Sequence, residues 1–278
     1  MRLMNLKNEE LLIDESTNEP IKLIYYPKEE KTNSLKIRVK EGVNASIIEV
    51  FAGNDLNETF TRELIVEDNA NLEYMKYQNI GNNSNIELQY NIDLKDNANI
   101  KMTNFELGKG KNINQFNTEF DSINSNLNIY GLVKIDENTN SKSVFKTSHN
   151  NQNCFSDIKY KHILDESSKA TFEALSVVNE KALNSRVLQN SNTILLSDDA
   201  VIFAQPHLEI NIDELEASHG ATTGSLNKEQ LLYLESRGIE SKKAKQMLLK
   251  AFENEIYDNI EDIKIKEFLQ ELEGEKNV

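Results

Sequence analysis

The sequence contains one cysteine, Cys154, no tryptophan and only three prolines in 278 residues. A single thiol excludes an internal disulfide framework and any metal cage built from the cysteines of one chain. Positive charge is also scarce: 31 lysines and arginines stand against 46 aspartates and glutamates, a formal net charge of −15. Such a chain lacks the basic face that displaces counterions from a nucleic acid. It equally lacks the polybasic character of a protein held on an anionic membrane surface. No apolar run approaches the roughly 20 residues of a membrane span. The opening residues, MRLMNLKNEELLIDE, have no apolar signal stretch and are acidic by Glu9, so the expected location is the cytoplasm. Neither nucleic acid nor membrane is an expected partner.

The familiar catalytic signatures are missing as well. Gly108-Lys109-Gly110-Lys111 lacks the spacer and the following Ser or Thr of a phosphate-binding loop, and it reads as a flexible hairpin or loop. There is no G-x-G-x-x-G after a strand, no H-E-x-x-H and no G-x-S-x-G. The four histidines, His149, His162, His207 and His219, are scattered. Cys154 sits in the polar stretch His149-Asn150-Asn151-Gln152-Asn153, where it could be an exposed thiol, with no sequence neighbour that lowers its pKa. Asp198-Asp199 and Asp213-Glu214 read as turn residues rather than an acid–base pair. The expectation is a protein that is not an enzyme, with no catalytic residues and no tightly bound cofactor.

Asparagine, by contrast, is abundant, with 37 residues. Genome composition is one explanation. The other is a chain that turns often, because asparagine tolerates left-handed backbone and bonds its own backbone in turns. From about residue 35 to 205 the chain shows short apolar alternation cut by polar turns, as in Ile86-Glu87-Leu88-Gln89-Tyr90-Asn91-Ile92-Asp93-Leu94. Period two reads as half-buried strands. Glu67-Asp68-Asn69-Ala70-Asn71-Leu72 recurs 28 residues later as Lys95-Asp96-Asn97-Ala98-Asn99-Ile100, and Ser125-Asn126-Leu127 follows as a weaker copy. A repeat of this length suggests a β-solenoid, in which each coil buries its apolar column against the next. A β-sandwich with similar turns is the alternative.

After Gly224 the pattern changes. Asn227-Lys228-Glu229-Gln230 is a plausible capping box, with Gln230 reaching back, and Gly238 is a helix stop. Ser241 to about Asn259 is amphipathic, with Ala244, Met247, Leu248, Ala251, Phe252 and Ile256 at helical spacing. A shorter helix is expected over 263–273, with fraying from Gly274 to Val278. The expected division is a β body over 1–224, its first 34 residues a lead-in, and a helical unit over 225–278. At their junction lies Ser218-His219-Gly220-Ala221-Thr222-Thr223-Gly224. The small neighbours of His219 admit another backbone, so the imidazole could face a second subunit.

These residues carry a family resemblance. Pro206-His207-Leu208-Glu209-Ile210, Asp213 and the Ser218–Gly224 segment are similar to the signature of the SufB/SufD family of iron–sulfur cluster assembly proteins. The match continues through Glu229-Gln230-Leu231-Leu232-Tyr233-Leu234 and Ser236-Arg237-Gly238-Ile239 to Ala244 and Phe252. Upstream, Gln189-Asn190, Leu195-Leu196-Ser197, Tyr160-Lys161 and Phe172 also fit. The form Gly220-Ala221-Thr222-x-Gly224 resembles SufD, since SufB-type members have Glu at the place of Gly220.

The resemblance implies a right-handed parallel β-helix followed by a small C-terminal α-helical domain. It also implies a SufB-like subunit bound through the β-helix and a SufC-like ABC-type ATPase bound through the C-terminal helices. Iron or a nascent cluster would be held transiently in the complex. His219 matches the family histidine proposed as an iron or cluster ligand at the subunit interface. Tyr233, Arg237, Gly238 and Phe252 are the residues expected to dock the ATPase. The resemblance further implies a short form without the usual N-terminal helical domain. Ala217 stands where many SufD sequences have Cys, and Leu232 replaces the usual Phe, read as a conservative core change. Two alternatives stay open: a SufB-like homodimeric scaffold that holds the cluster itself, needing a Cys154 thiolate, and a β-helix polysaccharide lyase or hydrolase.

Overall fold

The computed structural model describes residues 10–26 and 33–274. Residues 1–9 and 27–32 of the expected lead-in, and the expected frayed end past Gly274, lie outside the described residues. Among the described residues, sixteen strands alternate between two eight-stranded sheets, and every recorded strand pair is parallel. Sheet A holds β1 (Glu10–Ile13), β3 (Ser34–Val39), β5 (Asn57–Val66), β7 (Asn85–Leu94), β9 (Lys111–Phe120), β11 (Asn140–His149), β13 (Lys169–Val178) and β15 (Val201–Ile210). Sheet B holds β2 (Ile21–Tyr25), β4 (Asn44–Gly53), β6 (Asn71–Ile80), β8 (Asn99–Gly108), β10 (Asn126–Ile135), β12 (Phe155–Leu164), β14 (Ser185–Leu195) and β16 (Leu215–Gly224). Each strand pairs with the one two places on, so the chain winds as a parallel β-solenoid and not as a sandwich of hairpins. The Gly108–Lys111 segment is accordingly a corner between the sheets rather than a hairpin. Gly108 turns there at φ +99°, and a Cβ on Gly110 would meet Ile80 Cδ1 at 2.7 Å.

The asparagines explain the regularity. Asn69, Asn97, Asn124, Asn153 and Asn184 all have φ between +56° and +60° at the sheet A to sheet B corner of successive coils. Left-handed backbone is costly for most L-residues and least so for Gly and Asn. Their amides also stack: Asn124 Nδ2 donates to Asn97 Oδ1 at 3.0 Å and Asn153 Nδ2 to Asn124 Oδ1 at 3.1 Å. A second ladder, Asn44–Asn71–Asn99–Asn126, opens four sheet B strands, with links of 2.7, 2.9 and 2.6 Å.

Inward side chains stack from coil to coil. Tyr90, Phe116 and Phe145 lie in one register column with ring centroids 5.1 and 5.0 Å apart and nearly parallel planes. Offset stacks of this kind add to what their area burial contributes.

Three helices follow: α1 (Lys228–Ser236), α2 (Ser241–Tyr257) and α3 (Ile263–Gly274). Asn227 caps α1, accepting from the N–H groups of Glu229 and Gln230 at 2.9 and 3.1 Å. The second half of α2 and α3 lie on the outer face of sheet B. There Ile256, Ile260, Ile265 and Leu269 pack with Ile48, Val50, Met75, Tyr77, Phe105, Leu107, Leu132 and Ile163. Sheet B is thus buried on both faces over much of its length, which is why Ile47-Ile48-Glu49-Val50-Phe51 is nearly continuous in apolar residues. Polar anchors fix the helices: Glu73 accepts from the backbone N–H of Glu261 and Asp262 at 2.7 and 2.9 Å, and Lys134 pairs with buried Glu253 at 2.7 Å.

Candidate functional site at the open end of the solenoid

β15 and β16 are the last strands of their sheets, each with one neighbour. Their free edges and the interior of the last coil form an open end. His219 lies in mid-β16, in register with Gln189 of β14. The column continues inward through Ile158, Ile129, Met102 and Tyr74, all buried. His219 therefore occupies a lumen position, and it is exposed because no further coil covers it. A Cβ added to Gly220 or Gly224 would meet nothing within 4 Å, so packing within the chain does not require either glycine. Ser218, Ala221 and Thr222 are likewise small and exposed.

The layer beneath is polar and ordered. Gln189 donates through Nε2 to Ser176 Oγ at 2.7 Å and to the His207 carbonyl at 3.2 Å, and Ser176 also accepts from Thr147 Oγ1 at 2.6 Å. His207 points away from the lumen, 3.6 Å from Glu209 and well exposed. His149 and His162 are buried in the lumen, and burial pushes both pKa values down to about 4. His149 Nε2 lies 2.9 Å from Ser156 Oγ.

Cys154 is not an exposed thiol. It lies at a coil corner, 1% exposed, with Sγ 3.2 Å from the Ser122 carbonyl and 3.4 Å from Ser125 Oγ. The thiol is small enough to be enclosed at this corner against the Ser122 carbonyl and Ser125 Oγ, while its polar neighbours in sequence suggest exposure. Its coil precedes β12, two coils below His219, so the two residues do not meet.

The expected docking residues separate into two groups. Tyr233, Arg237 and Gly238 stand together at the exposed end of α1. The Arg237 guanidinium lies 5.3 Å from the centroid of the Tyr233 ring, and Gly238 ends the helix at φ +84°. No residue of α1 is buried. Leu232 is 64% exposed and Tyr233 58%, which corrects the reading of Leu232 as a core residue. Phe252 belongs elsewhere. It is half-buried toward the solenoid, with Lys161 Nζ 4.1 Å from its ring centroid and bonded to its carbonyl at 2.9 Å. The helical periodicity identified its apolar stripe but not what the stripe covers.

The lumen holds charges that sequence reasoning missed. Glu49 accepts from Arg62 Nε at 2.6 Å, Tyr74 OH at 2.5 Å and Tyr90 OH at 2.7 Å. Glu106 accepts from Lys76 at 3.2 Å, Tyr160 at 3.2 Å, Ser141 at 3.0 Å and Ser143 at 2.8 Å. Burial pulls the Lys76 pKa down against the opposing pull of Glu106, and it raises Tyr74, Tyr90 and Tyr160 well above the ordinary phenol range. The signal was present in the repeat: counted from the asparagines that open β6 and β8, Lys76 and Asn104 hold the same inward place.

With this geometry in hand, residues 27–252 match the model of the SufBD core domain of SUF system iron–sulfur cluster assembly. The chain belongs to this family. It is 29% identical over 230 residues to the iron–sulfur cluster assembly protein SufD of Escherichia coli, covering 82% of this chain and 54% of that protein. It is 26% identical over 269 residues to SufD of Plasmodium berghei, covering 90% of this chain and 20% of the relative. A SufBD family protein of Methanothermobacter thermautotrophicus is 42% identical over 59 residues, 21% of this chain and 14% of the relative. The chain thus spans about half the length of the E. coli relative and less of the others. Membership in the SufBD family and the SufD-like relatives tie it to SUF iron–sulfur cluster assembly. No helix among the described residues is long and apolar enough to cross a membrane.

Proposed function

We propose that this chain is a non-enzymatic, SufD-like component of a cytoplasmic SUF scaffold, which pairs through its last coil with a SufB-like subunit and through α1 with a SufC-like ABC-type ATPase. The observation that carries the reading is the position of His219: a lumen column ends on an imidazole at an uncovered coil, flanked by two unpaired strand edges. Unpaired edges invite a partner sheet, and a neutral imidazole is a sound iron ligand. In the assembled complex His219 contributes a ligand, or positions one, for iron or a nascent cluster, with thiolates supplied by the partner. The burial of Cys154 weighs against a homodimeric scaffold in which this chain supplies the thiolate. Tyr233, Arg237 and Gly238 form the exposed ATPase contact, while Phe252, half-buried beside Lys161, anchors α2 on the solenoid.

The test is co-expression with a SufB-like subunit and a SufC-like ATPase. The three chains should co-purify, and the isolated chain should hydrolyse no ATP. His219→Ala should leave the complex assembled and lower its iron–sulfur content, whereas Tyr233→Ala with Arg237→Glu should release the ATPase only. Normal cluster loading in the His219 variant removes this residue from the chemistry, and failure of the wild-type chains to associate removes the reading.

A further inference from the structure

Besides its two buried ion pairs, the lumen carries polar atoms that no protein group among the described residues satisfies. They are both amide atoms of Gln78, Asn104 Oδ1, Thr118 Oγ1, His149 Nδ1, His162 Nε2 and Gln189 Oε1. Every one of these residues sits at an inward register position, and each is at most 3% exposed. In sheet B, Gln78 and His162 share one register column with Glu106 and Val133 between them, and Asn104 stands in the adjacent inward column between Lys76 and Gly131. Folded proteins do not leave so many buried groups unpaired.

The chemistry of the set selects its partner. Glu49 is balanced by Arg62 and Glu106 by Lys76, and the two buried histidines are held neutral by desolvation, so nothing calls for an ionic guest. The orphans include acceptors, Asn104 Oδ1 and Gln189 Oε1, and a donor, Gln78 Nε2. The guest must therefore be small and neutral, and must both donate and accept. Water meets all of these conditions.

We propose that the lumen of this solenoid is hydrated, with internal water molecules bound at Gln78, Asn104, Thr118, His162 and Gln189, and with those in the layer of Gln189 and Ser191 exchanging through the uncovered coil at His219. Ser191, buried directly under the exposed Ala221, heads the register column that runs through Tyr160 and Gly131 to Asn104 and Lys76, and Gln189 lies beside it under His219, so the polar groups meet solvent at that end. The interior of the solenoid then holds hydrated polar positions between its apolar stacks.

Two measurements on the full chain test this. A high-resolution crystal structure should show water density within about 3.2 Å of Asn104 Oδ1, His162 Nε2 and Gln189 Oε1. Side chains instead turned to pair directly with one another would overturn the proposal. In solution, Thr118→Val removes one lumen hydroxyl with little change of shape. With that hydroxyl hydrated, the melting temperature should stay level or fall. A rise of roughly 2 °C or more would mean that the hydroxyl was dry and costly, and the hydrated lumen would be wrong. If the variant does not fold, the crystal structure decides.

Discussion

Tyr160 lies across the face of Gly131 on the neighbouring strand: a Cβ placed on that glycine would come within 2.3 Å of the ring Cζ. The missing side chain lets the Tyr160 hydroxyl reach Asn104, which donates to it at 3.0 Å, and Glu106, to which it donates at 3.2 Å. Gly131 thus holds the polar column together across a coil where no polar side chain stands. Gly131→Ala should destabilise the protein by about 1–3 kcal/mol through overpacking. Tyr160→Leu should cost a similar amount by leaving Glu106 and Asn104 short of a partner. The double variant should cost clearly less than the sum, because the alanine then has room. Additive losses in urea unfolding would show that the ring and the glycine are independent.

How far this was legible depends on the period. Period-two alternation and the repeat from Asn69 to Asn97 identified the coils, and Asn227 and Gly238 marked the limits of α1. Alternation tells one strand face from the other, but it cannot say which face is lumen when both are buried, as in β4, β6 and β8. Glu49 and Lys76 were therefore hidden: a charged residue in an alternating strand reads as solvent-facing. The seat of Phe252 was hidden for a related reason, since an apolar helix stripe fits a sheet of its own chain as well as a partner. His219 was visible from its small neighbours, but that it closes a lumen column required the register with Gln189.

The buried histidines give the fold a pH limit. His149 and His162 have folded pKa values of about 4, against an ordinary value near 6.5. Between these values the unfolded chain binds protons that the folded chain does not, so stability falls as pH drops from about 6.5 toward 4. The slope is at most ~1.4 kcal/mol per pH unit for each histidine. Urea midpoints measured from pH 7 to pH 4.5 should fall. His162→Gln should flatten the curve by up to one proton, and an unchanged curve in that variant would place its titration at an ordinary value.

The helices cover apolar sheet surface rather than standing apart. A chain ending at Gly224 uncovers Ile48, Val50, Met75, Tyr77, Phe105, Leu107, Leu132 and Ile163 together. A contiguous exposed patch of that kind promotes association. The shortened chain should keep strong β circular dichroism, bind a hydrophobic dye and run as oligomers. A monomeric chain that leaves the dye unbound would show that α2 and α3 contribute little to the solubility of the body.

Asparagine content offers a last test, because two sites predict opposite signs for one substitution. Asn97 turns a corner at φ +56° and accepts from Asn124 Nδ2 at 3.0 Å. Asn97→Ala should therefore cost about 1–2 kcal/mol for the left-handed backbone. Asn97→Gly should cost less, since glycine keeps the conformation and loses only an exposed hydrogen bond. Asn254 is an exposed residue inside α2, where alanine is the better helix former by roughly 0.5 kcal/mol. Asn254→Ala should hold or raise stability. If thermal unfolding shows losses at Asn97 and none at Asn254, the corner asparagines are selected by backbone geometry. Equal and negligible responses at both sites would leave genome composition as the sufficient explanation.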